Sequence, residues 1–195
     1  MNQRGFLFLI LFLVISFPGY AASKKGDAAI KGAGISSCKQ FVETVKNKGN
    51  VAIYAGWMDG FITAANINEK NTFDFTPWQS TNTLLEGIYG YCNKHPDLNY
   101  FNATSEMLKA LYKKRVVEDA KIIKVNIEGK SLYIYDEVIK RIQMQLAKLK
   151  LYSGKVSGKY DDRTQKAVKE FQKKNKLAET GIPDQKTLIY LLKPV

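Results

Sequence analysis

The chain has 195 residues, with 30 Lys or Arg against 18 Asp or Glu, one His, two Cys and a formal net charge of +12. One imidazole excludes the multi-histidine zinc sites that many hydrolases use, and its place as His95 before Pro96 in a helix-ending turn argues against a His-centred nucleophile triad. The length allows one domain or two small ones, and charge favours two: residues 138–195 carry fourteen basic and five acidic side chains, net +9, whereas residues 22–137 carry fifteen against thirteen, net +2.

Residues 1–22 run from Arg4 through an apolar stretch, Phe6 to Phe17, into Pro18-Gly19-Tyr20-Ala21-Ala22, the basic, hydrophobic and small-residue order of a secretory signal peptide. This stretch of twelve residues is short for a membrane span, which needs roughly 20. Cleavage near Ala21 or Ala22 and export to a Gram-negative-type periplasm are therefore expected. A retained anchor is the alternative, and only then is membrane contact expected. For an exported basic protein the acidic partners are wall polymers or phospholipid head groups rather than nucleic acid; the plain alternative is a solvated face.

Four helices are predicted over residues 35–114. Cys38, Phe41, Val42 and Val45 form the apolar stripe of the first, and Ile53, Trp57, Gly60 or Phe61 and Ala64 that of the second, with Lys48-Gly49-Asn50 between them. After a polar loop from Lys70 to Pro77, a third helix is expected from Trp78 to Lys94, with Leu84, Leu85, Ile88, Tyr91 and Cys92 inward and His95-Pro96-Asp97 as its stop. A fourth, Asn99 to Arg115, turns Phe101, Met107, Leu108 and Leu111 inward. Gly56 and Gly60 inside the second helix each cost about 1 kcal/mol against alanine. That cost predicts a neighbouring helix or ring packed close to them; a surface groove flanked by Trp57, Asp59 and Asn66 is the alternative. Cys38 and Cys92, 54 positions apart in an oxidising compartment, predict one disulfide.

Three stretches carry a resemblance: Cys38-Lys-Gln-Phe41, the run Tyr54-Ala-Gly56-Trp57-Met-Asp-Gly60-Phe61-Ile-Thr-Ala-Ala-Asn66, and Tyr91-Cys92-Asn-Lys-His-Pro96. Together with Ala103 and Leu111, they resemble small exported helical proteins related to type VI secretion immunity proteins and acid-stress periplasmic chaperones. The resemblance implies a helical fold and a protein partner for this segment.

Residues 115–136 form a linker or short hairpin, because β-branched and aromatic runs flank Glu128-Gly129. A two-stranded hairpin is marginal alone and should lean on a neighbouring domain. Residues 137–195 read as three helices. Val138, Ile142, Leu146 and Leu149 stripe the first, Ala167, Val168 and Phe171 the second, and Leu188, Leu191 and Leu192 the third. Gly158, Asp161 and Thr164 recur 23 positions later as Gly181, Asp184 and Thr187. In each set the aspartate is the expected N-cap, and the glycine delivers the turn into it. The expected fold class is mainly all-α: a disulfide-tied bundle, a hairpin and a three-helix bundle.

The runs Ile142-Gln143-Met-Gln-Leu146, Tyr152-Ser-Gly154-Lys-Val-Ser-Gly158, Thr164-Gln-Lys-Ala167-Val168-Lys-Glu-Phe171-Gln172 and Gly181-Ile-Pro-Asp184-Gln-Lys-Thr187-Leu188 resemble the peptidoglycan-binding domains found on amidases, muramidases and transpeptidases. That family has glycine where this chain has Asp161. The resemblance implies peptidoglycan as partner and a shallow surface site. Tyr152 and Tyr160 would cover sugar or peptide-stem faces, Gln172 would bond amides, and Lys155, Lys159 and Lys173 would meet carboxylates. Each has a plainer role open to it: core for Tyr152, backbone satisfaction for Gln172, surface charge for the lysines.

No catalytic residue, metal site or cofactor is expected. The carboxylates Glu43, Asp59, Glu69 and Glu86 are dispersed as helix surface charge, with a cryptic glycan hydrolase as the remote alternative. The expected function is a non-catalytic wall-binding protein whose basic module localises an N-terminal interaction domain. A wall-anchored immunity or chaperone protein is the alternative.

Overall fold

The computed structural model describes residues 28–192, and the expected export signal lies outside them. Seven α-helices and one hairpin follow in order: α1 (Cys38–Lys46), α2 (Ala52–Asn68), α3 (Thr81–Lys94), α4 (Tyr100–Leu111), β1 (Ile122–Ile127), β2 (Lys130–Tyr135), α5 (Asp136–Lys148), α6 (Asp162–Lys174) and α7 (Gln185–Leu192). The protein is mainly helical, and Cys38 and Cys92 form a disulfide.

Residues 38–111 build one apolar cluster. Its centre is aromatic: the rings of Phe41, Tyr54 and Tyr100 lie 4.9–5.0 Å apart. Tyr100 is fully buried and its hydroxyl donates to the Tyr54 carbonyl at 3.3 Å. Burial pushes its phenol far above the ordinary range. Ser37 and Gln40 close a capping box on α1, and Ser80 and Asn99 cap α3 and α4. The disulfide joins the first turn of α1 to the last of α3, beside the bond from Cys38 N–H to the Leu98 carbonyl at 2.7 Å.

Two expectations for α2 are corrected. Its buried positions are Tyr54, Met58 and Ile62, one residue out of phase with the predicted stripe; Ile53 is 58% exposed, Ala64 is exposed and Trp57 and Phe61 are half-buried. The helix is apolar nearly all round, so two phases fit a 3.6-residue period, and the phase that brings Tyr54 against Phe41 and Tyr100 is the one realised. Gly56 and Gly60 are exposed, and a Cβ on either would meet nothing within 4 Å. No helix or ring packs on them. Helices α3 and α4 are also shorter than expected. Ser80 is the cap that starts α3 after Trp78, and α4 tightens into a 3-10 turn, Tyr112–Lys114.

The hairpin turns through Glu128 and Gly129 at φ 50° and 79°, a two-residue turn with both centres left-handed. Val125, Ile127 and Ile134 point into a second cluster with Val138, Ile139, Ile142 and Leu146 of α5 and the inner faces of α6 and α7. Leu149, expected in that core, is 52% exposed. Helix α5 ends before it, with Lys150 left-handed and Leu151 N–H returning to the Leu146 carbonyl at 2.8 Å, a Schellman closure that puts Leu151 inward instead.

The two clusters are joined by specific bonds. Ser80 N–H donates to Gln185 Oε1 at 2.9 Å, and the Arg141 guanidinium donates to the carbonyls of Lys114 and Arg115. Phe73 meets Tyr135 edge-on at 5.6 Å, and Trp78 packs against the second cluster.

Candidate functional site

Helices α5, α6 and α7 are held together by one arrangement used twice. Gln143 on α5 is fully buried: its Oε1 accepts from the N–H groups of Ser157 and Gly158 at 2.8 and 3.1 Å, and its Nε2 donates to the Lys159 carbonyl and Thr164 Oγ1 at 2.9 and 3.0 Å. Gln172 on α6 is equally buried. Its Oε1 accepts from Gly181 N–H at 2.8 Å, and its Nε2 donates to the Ile182 carbonyl and Thr187 Oγ1 at 2.8 and 2.9 Å. Each amide thus binds the glycine of the next loop and the threonine of the next helix. Buried donors and acceptors that would otherwise be costly are satisfied together.

The caps complete each repeat. Asp161 accepts from Thr164 N–H at 2.9 Å and Asp184 from Thr187 N–H at 2.8 Å. The hydrogen bonds from Thr164 hold the Asp161 carboxyl below the usual range. Gly158 and Gly181 have φ of 71° and 70°, and a Cβ there would lie 3.0 Å from the Asp136 carbonyl oxygen and 2.8 Å from Gln165 Cγ. Glycine is required at both by conformation and by space. The aspartate at 161 acts as an N-cap, so the turn closes on a side-chain oxygen.

The structure places the six expected contact residues as follows. All polar atoms of the Gln172 amide are spent inside the fold. Tyr152 is 7% exposed, its hydroxyl donates to the Lys155 carbonyl at 2.9 Å, and its ring covers Gly154. Tyr160 is half-buried against the core and donates to the Gly181 carbonyl at 2.7 Å; burial pushes its phenol far upward. Lys155, Lys159 and Lys173 remain exposed, and none forms an ion pair among the described residues. The first two flank the loop that Tyr152 and Gln143 hold; the third follows Gln172 on α6. Gln143 was not singled out by the sequence reading. Its signal is the repeated pairing of an apolar residue with glutamine, Ile142-Gln143 and Phe171-Gln172, ahead of each glycine-led loop.

Residues 135–191 match the family described as "Putative peptidoglycan binding domain". The C-terminal module therefore carries the match, from the end of β2 into α7. Comparison with curated proteins and with solved structures gives no match. The match begins at the last residue of β2, so β1 and most of β2, which contribute Val125, Ile127 and Ile134 to the module's core, lie outside the matched span.

Proposed function

We propose that this protein is a non-catalytic, exported wall-binding protein whose C-terminal domain holds peptidoglycan and whose N-terminal bundle engages a protein partner. The observation that carries it is the family match over residues 135–191 together with the basic charge of that region. Exposed Lys155, Lys159 and Lys173 supply cations for the carboxylates of peptide stems. A periplasmic location agrees with the disulfide and with the signal-like residues 1–22. Absence of catalysis is supported by His95, exposed at the end of α3 beside the Tyr91 ring, and by Asp59 and Glu69, which accept bonds from Thr81 and Tyr112 as surface groups.

The partner role is supported by the outer face of α2. Between residues 52 and 68 the only charged side chain is Asp59, and Ile53 and Ile67 are 58% and 78% exposed beside Gly56 and Gly60. A protein of net charge +12 has left a five-turn helix face almost free of charge, which suits a protein contact better than a spacer. The same face fits the immunity or chaperone reading. Binding of one effector at fixed stoichiometry would favour immunity, and broad suppression of aggregation at acid pH would favour the chaperone.

The deciding test is pelleting of the purified protein with protein-free sacculi at low salt and at roughly 0.3 M salt, beside a basic control protein of similar size. Retention above the control at the higher salt is expected, with sacculus turbidity unchanged. Release in parallel with the control would overturn wall binding, and falling turbidity would overturn the non-catalytic assignment.

A further inference from the structure

The strongest unassigned feature is a groove of about 260 Å³ bounded on one side by Trp78, Lys113 and Lys114 and on the other by Arg141, Gln145 and Lys148 of α5. Its lining contains four cationic side chains and no carboxylate. Arg141, Gln145 and Lys148 stand at i, i+4 and i+7, with Met144 beside them, so they share a face of α5 that flanks the core stripe Val138, Ile142 and Leu146. Met144 is 42% exposed, and with the Trp78 ring it gives the groove an apolar floor under a cationic rim.

Fold stability does not account for this gathering of charge. Lys113, Lys114 and Lys148 form no ion pair among the described residues, and like charges brought together repel. Arg141 is held in place by the Lys114 and Arg115 carbonyls, which also fixes the backbone that carries the two lysines. The Arg141 side of the rim is thus fixed in place, with Glu137 Oε1 4.0 Å from its Nε, while the three exposed lysines are the cations open to an anion, and the indole suits the apolar face of a sugar ring. Gln145 adds one amide able to pair with an N-acetyl group.

We propose that this groove binds an acidic N-acetylated amino sugar of the wall glycan, its ring on Trp78, its N-acetyl group at Gln145 and its lactyl or peptide carboxylate between Lys113 and Lys148. The proposal rests on the peptidoglycan-binding reading and extends it, because Trp78, Lys113 and Lys114 lie outside the matched residues 135–191. Wall binding then draws on both clusters of the protein. None of Tyr152, Lys155, Lys159, Tyr160, Gln172 or Lys173 lines the groove.

The chain has two tryptophans, Trp57 and Trp78, so a Trp57→Phe variant makes Trp78 the sole indole reporter. A muramidase-released disaccharide-peptide is titrated against it, and Trp78→Phe serves as the complementary variant that keeps Trp57. A saturable change in Trp78 emission is expected, absent from the Trp78→Phe protein and weakened by roughly tenfold or more in Lys113→Glu/Lys148→Glu. Lys39→Glu/Lys46→Glu, exposed on α1 and outside the groove, is expected to leave the response intact. Inorganic phosphate at equal concentration should give no comparable response, and an equal one would reduce the groove to a nonspecific anion cluster and overturn the proposal. Sacculus pelleting of the same variants separates the two readings. Pelleting retained with no Trp78 response overturns the groove and leaves wall binding standing, whereas loss of both in the unmutated rim overturns wall binding as well.

Discussion

The N-terminal bundle and the C-terminal domain reach similar burial by different means. In the bundle, apolar and aromatic surfaces meet around Phe41, Tyr54 and Tyr100, and a covalent bond closes the sequence distance between α1 and α3. In the domain, two buried glutamines bond the loops and caps of the helices that follow them, so polar groups specify where each helix begins. Apolar packing tolerates more than one phase, whereas a four-bond amide site has one solution. The outer surfaces differ as well: the bundle presents an apolar face on α2 and the domain a charged one.

The largest expected break falls on the bundle alone. Replacing Cys38 and Cys92 by serine should remove about 4 kcal/mol by the loop-entropy estimate. Hydrogen exchange followed by peptide should accelerate over 38–111 and change little over 138–192; equal acceleration of both would show one cooperative unit. The domain's counterpart is Gln172→Leu, which strands Gly181 N–H, the Ile182 carbonyl and the Thr187 hydroxyl and should cost about 3 kcal/mol in denaturant unfolding. Retention on sacculi per folded molecule should not change. A selective loss of retention would return Gln172 to the ligand surface.

Glycine substitutions sharpen the comparison through opposite signs. Gly181→Ala forces a side chain into left-handed backbone 2.8 Å from Gln165 Cγ and should destabilise by about 2 kcal/mol. Gly60→Ala adds a methyl to open space on an exposed helix face and should stabilise by about 1 kcal/mol. A destabilised Gly60→Ala protein would reinstate a close neighbour for α2. The smallest effect is Asp161→Ala, about 1 kcal/mol for the cap. Because the folded carboxyl is held below its ordinary value, near 4, the cap's contribution is fully present above that value and disappears as pH falls through the lower folded value. The gap between the two proteins' melting temperatures should therefore stay constant above about pH 5 and close in more acidic buffer.

Legibility in the sequence followed the same division. The repeated Gly, Asp and Thr announced α6 and α7 because caps and left-handed turns have local chemical requirements, and Asp161 and Asp184 bond as those requirements demand. The disulfide was legible because two cysteines leave one pairing. The phase of α2 was not, since Ile53, Trp57 and Ala64 are as apolar as Tyr54, Met58 and Ile62, and only tertiary packing chooses between them. Gln172 and Tyr152 had two roles open in the sequence, because side chains suited to a ligand suit a buried network equally well, and the buried role is the one their bonds show. The groove could not be read at all: Trp78, Lys113 and Lys148 are scattered along the chain and each is unremarkable alone.

The register of the hairpin has a mechanical consequence. Ile122 pairs with Tyr135, so the chain enters β1 and leaves β2 at the same end. Tension applied between residues 38–111 and the C-terminal helices would first part the Arg141 and Ser80–Gln185 links, then open the hairpin as a zipper, one rung at a time rather than all in shear. Val125, Ile127 and Ile134 would leave the core in turn and resist each step. Residues 122–135 thus store about 45 Å of chain, a spool that pays out under load while both ends stay folded.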